Sequence, residues 1–133
     1  VTTYRLDPAG PHSDEYTRHA ADAFTEAVHV LNHATRSPEG VTDPATIHAV
    51  LGDLADGIAR LDQLLLQLTE RLTRLAESGR VGHDSGDPAK AAHAVANATG
   101  AIDYARRVMA APGGNLAAAH NVTASLYLDG GDL

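Results

Sequence analysis

The amino-acid sequence predicts an all-α fold, an elongated antiparallel bundle of three long helices plus a short C-terminal helix. Three observations lead there. Between Ile47 and Leu75 apolar residues recur in alternating steps of four and three, the a/d spacing of helices that pack knobs into holes. Ala and Leu, both strong helix formers, dominate the composition, while aromatic residues are limited to Phe24 and four tyrosines. A β-sandwich of this size would use more aromatic and β-branched residues. Finally, Asp43-Pro44 and Asp87-Pro88 each place a capping carboxylate before a proline at the first helical position, where its missing N–H costs nothing.

Residues 1–12, with Pro8, Gly10 and Pro11, read as an irregular arm. Ser13 then caps a first helix, about residues 14–35, with Asp14 and Glu15 in the first turn where the helix dipole favours anions. Tyr16, Ala20, Ala23, Ala27, Val30 and Ala34 mark its apolar face, widened by Phe24 and Leu31. Ser37-Pro38-Glu39-Gly40 ends it.

The second helix, from Pro44 to about Ser78, carries the clearest pattern: Ile47, Leu51, Leu54, Ile58, Leu61, Leu65, Leu68, Leu72 and Leu75. This is a heptad seam with Val50 and Leu64 broadening it at g positions, so the helix is expected to meet more than one neighbour. Gly52 and Gly57 would each cost about 1 kcal/mol relative to Ala in a helix, and they suggest close approach by another chain segment or a mild kink. Leu66 lies off the seam as a possible interface residue.

A polar loop over residues 82–86 leads to a third helix, about 88–110, with Ala91, Val95, Ala98, Ile102, Ala105 and Met109 on one face. Pro112-Gly113-Gly114 is expected to break it, with Asn115 capping a short fourth helix to about Tyr127 whose Leu116, Ala119, Thr123 and Leu126 point inward. Residues 13–128 thus form one helical-bundle domain, and 129–133 a flexible tail. At about 1.5 Å per residue the second helix is about 50 Å long, so covering it takes more than one shorter helix.

Several chemistries fall away. The absence of cysteine removes disulfides, thiolate metal sites and cysteine nucleophiles. No apolar run is long enough to span a bilayer, and residues 1–10 do not resemble a signal peptide, so a cytoplasmic setting is expected. A formal charge of −7 argues against nucleic-acid binding, and Arg71, Arg74 and Arg80 interleave with Glu70 and Glu77 as a solvated face does. Of the ten basic side chains only Lys90 is a lysine; with the alanine content this suggests a GC-rich, actinobacterial type of coding sequence. G-x-S-x-G, phosphate-loop, dinucleotide and His-Glu-x-x-His motifs are all missing, and no cofactor is implied.

One polar constellation stands out. Asp22, Glu26, His29 and His33 fall on a narrow strip of the first helix, opposite its apolar face. Glu-x-x-His and the i,i+4 histidine pair are both metal-ligand spacings, although the second Glu-x-x-His of a di-metal bundle is lacking and a solvated strip is the simpler account. His120 and Tyr127 are spaced to stack, although a packed or capping role is the simpler account. Arg106, at the edge of the third helix's stripe, could pair with Asp103, snorkel, or serve as an interface arginine. The expectation is a non-enzymatic interaction or regulatory protein that forms a homodimer, or binds another protein, through apolar helix faces. The alternative is a bundle binding a metal or small ligand through the Glu/His strip.

Overall fold

The computed structural model describes residues 5–130, so part of the arm and most of the tail lie outside the described residues. Every regular element among the described residues is helical: α1 (Asp14–Arg36), α2 (Pro44–Glu77) and α3 (Pro88–Thr123). The chain divides into two compact units, Val1–Thr42 and Asp43–Leu133.

In the first unit Ser13 Oγ accepts the Tyr16 backbone N–H at 3.0 Å, starting α1 as a serine cap should. Tyr16 is the buried residue of this helix. Its hydroxyl accepts the Asp7 N–H and lies 2.9 Å from the Asp7 carbonyl and 3.0 Å from that of Arg5. A single phenol thus folds the described end of the arm back along the first turn. Beyond it the apolar face is open: Phe24 is 57% exposed and Val30 56%.

The second unit is an antiparallel hairpin of α2 and α3. Contact partners fall along one helix as they rise along the other: His48 meets His120, Ile58 meets Gly113 and Asp62 meets Arg106. Both helices start on the expected Asp-Pro pairs, with the Asp43 and Asp87 carboxylates accepting the Ala45 and Ala89 N–H groups at 2.8 and 2.9 Å. The ten-residue loop between them is pinned by His83 and Ser85. His83 Nδ1 accepts the Ser85 N–H at 3.1 Å and lies 2.7 Å from Ser85 Oγ, which in turn accepts the Asp87 N–H.

The expected break after Ala110 does not occur. The third and fourth helices of the sequence reading are one helix of 36 residues that runs through Pro112. A mid-helix proline removes a hydrogen bond and crowds the preceding turn, at about 3 kcal/mol. Packing against α2 holds the helix together. The packed face of α3 includes buried Ala91 and half-buried Val95, Ala98, Ile102, Met109, Gly113, Leu116 and Thr123, so the stripe crosses Pro112 without losing phase. Turn structure follows Thr123, and Leu126 and Tyr127, expected in a fourth helix, are exposed.

The leucine helix is only partly covered. Leu51, Ile58, Leu65 and Leu72, the a positions, are half-buried, as are the adjoining e positions His48, Ala55, Thr69 and Ala76. These two rows, 40° apart on the helix, form the side that meets α3. On the opposite flank of the seam Leu61 is half-buried, but Ile47, Leu54, Leu68 and Leu75 remain 40–47% exposed, with Leu64 beside them at 46%. One seam in the sequence is therefore two edges in the structure.

Candidate functional site

Along the hairpin three contacts fix the register. At the open end the rings of His48 and His120 stack with centroids 3.9 Å apart and planes 11° from parallel. Each Nδ1 lies 2.8 Å from the other residue's backbone carbonyl. Carbonyls only accept, so in this reciprocal pair both Nδ1 atoms donate. His48 Nδ1 is also 3.1 Å from Thr123 Oγ1. Gly52 makes the space: a Cβ there would sit 2.7 Å from His120 Cε1. Of the roles open to His120 in the sequence, stacking on Tyr127 does not occur, since Tyr127 lies beyond the helix end, and the ring packs on His48 instead.

Midway, Arg106 grips Asp62 with two parallel hydrogen bonds, Nε to Oδ1 at 2.9 Å and Nη2 to Oδ2 at 3.3 Å. Asp103, the neighbour expected from sequence, is further off at 3.8 Å. The hydrogen bond from Arg106 holds the Asp62 carboxyl below the usual carboxylate range, against a smaller opposing effect of desolvation. The same bond raises the arginine's proton affinity. Between these contacts Ile58 Cγ2 approaches Gly113 so closely that a Cβ there would lie 3.0 Å away. A shallow groove of about 540 Å³ runs beside them, lined by small side chains such as Ala55, Ala59, Ala110 and Ala117, with the Asp62–Arg106 pair in its wall.

On α1 the Glu/His strip assembles only in part. His29 Nε2 and His33 Nε2 are 3.1 Å apart, their rings edge to face. Glu26 Oε2 lies 3.7 Å from His29 Nδ1. Among the described residues Asp22, on the same strip, forms no hydrogen bond or ion pair with these three. No group of three or more His, Asp or Glu side chains gathers as a metal site among the described residues. The four-donor strip read from spacing therefore reduces to a histidine pair with one flanking carboxylate.

No known family, curated protein or solved structure matches this chain. Its function has to be read from its own residues. No helix among the described residues is long and apolar enough to cross a membrane. Leu66 is 38% exposed, off the face that meets α3, while Arg106 is committed to Asp62. Asp62 and the His48–His120 pair carry no sequence motif. They become visible only once the antiparallel register brings residues more than forty positions apart together.

Proposed function

We propose that the protein is a non-enzymatic interaction protein that self-associates as a homodimer through its apolar helix faces. The observation that carries this reading is the uncovered flank of α2, the row Ile47, Leu54, Leu64, Leu68 and Leu75. Completing the burial of a half-exposed leucine or isoleucine gains on the order of 1 kcal/mol, so five such side chains offer several. In a second copy the same row supplies a matching apolar edge, and an isologous contact of this kind is the commonest way for identical chains to pair. The open stripe of α1 is further surface of the same character. The cytoplasmic setting expected from the sequence belongs to this reading.

The test is the mass in solution. Light scattering on the purified chain is expected to give twice the 13.8 kDa of one copy, and Leu54→Glu with Leu68→Glu is expected to return it to one. Both substitutions lie away from the face that meets α3, so the variant should keep its helical circular dichroism. A wild-type chain of single mass at tens of micromolar would sink the dimer.

A further inference from the structure

We infer that His29 and His33 form an open two-nitrogen site on α1 for a late divalent transition cation of the Zn²⁺, Ni²⁺ or Cu²⁺ class. Imidazole nitrogens suit these ions. Two metal–nitrogen bonds of about 2.0–2.1 Å meeting at 90–109° hold their nitrogens about 2.9–3.4 Å apart. The two Nε2 atoms already stand 3.1 Å from each other, inside that range.

Glu26 supplies what a lone histidine pair would lack. Its Oε2 faces His29 Nδ1, which favours the proton on that nitrogen and leaves Nε2 with its lone pair outward. A carboxylate behind a ligating imidazole fixes the tautomer and raises the ligand's basicity. In the metal-free pair one Nε2–H bridges the two rings, and with Glu26 setting His29 that proton belongs to His33. Binding requires His33 to carry it on Nδ1 instead, a tautomer change with no net proton release from the neutral pair. The chain supplies two ligands, and the remaining positions go to water. Residues at i and i+4 also sit on successive turns, so the bound ion staples the second half of α1.

Calorimetric titration of the untagged full chain with Ni²⁺ or Zn²⁺ alone tests this, with His29→Ala/His33→Ala as the baseline for the other histidines. One ion per chain above that baseline is expected. His29→Ala and His33→Ala should each weaken binding at least tenfold, Glu26→Gln about tenfold, and Asp22→Asn not at all. Amide exchange over residues 26–36 should slow when the ion is added. Binding no tighter than the baseline overturns the site, as does an Asp22→Asn loss equal to that of His33→Ala. Because the donors lie on the polar face of α1, Leu54→Glu with Leu68→Glu should bind the ion as well as the wild type, so a failed dimer and a failed metal site are told apart.

Discussion

At the scale of single residues, two glycines of one helix make opposite predictions. Gly57 has open space where a Cβ would go, whereas Gly52 has the His120 ring. Gly57→Ala should therefore stabilise the hairpin by about 1 kcal/mol, the difference in helix propensity. Gly52→Ala gains the same propensity but pushes His120 off its partner, and overpacking of this kind costs about 1–3 kcal/mol, for a net loss of up to about 2. Urea unfolding of the pair reads both, and equal behaviour would refute the clasp geometry. The sequence marked both glycines alike, as weak points or places of close approach. Nothing local distinguishes them, because the difference comes from a side chain 68 positions away.

Asp62 gives the pH prediction at the same scale. Its carboxyl is held below its ordinary range by Arg106 in the folded chain, so folding favours the ionised form. That contribution is complete above the unfolded carboxylate value, about 3.9, and is lost as pH falls through the lower folded value. Acid unfolding of Asp62→Asn should start from a lower stability at neutral pH and show a shallower decline below pH 5 than the wild type. Parallel curves would mean that the pair contributes nothing to folding.

At the scale of elements, the starts of all three helices and the end of α1 were legible because their signals are local. Ser13, Asp43 and Asp87 cap where side-chain chemistry says they should, and Ser37-Pro38 stops α1. The end of α3 was not legible. Pro112, Gly113 and Gly114 carry a strong local stop, and only the neighbouring helix overrides it. A trace of that override was present in the sequence, since Met109, Gly113 and Leu116 keep the four-three spacing across the proline. Pro112→Ala should restore the missing N–H and relieve the crowding, so α3 gains stability. A rise in the urea midpoint corresponding to about 1–3 kcal/mol is expected; a fall would mean that the proline shapes a bend the packing needs. The leucine seam shows the same limit. Its period was plain in the sequence, but which row meets α3 depends on how the helices rotate against each other.

At the scale of the whole molecule, the described residues hold little interior: Tyr16 and Ala91, each 7% exposed, are the buried apolar side chains. A hairpin of two helices has only one contact line, and much of each apolar stripe remains open. If a second copy covers those stripes, association and folding are linked by mass action. The thermal midpoint should then rise with protein concentration in the wild type and stay fixed in Leu54→Glu/Leu68→Glu. The Glu/His strip was half legible at this level. Spacing put four donors on one face, but Asp22 lies about two turns or more from either histidine and its neighbour on the next turn, Glu26, is another carboxylate, so it drops out.

The His48–His120 pair has a consequence for movement. The two α-helices are joined by the loop at one end and by the reciprocal ring clasp at the other, with Asp62–Arg106 between. Sliding one helix by a single turn, about 5.4 Å, would break every one of these contacts and drive the His120 ring out of the notch at Gly52. Sliding of the two helices along each other is therefore opposed at three places at once, the ring pair, the ion pair and the notch at Gly52.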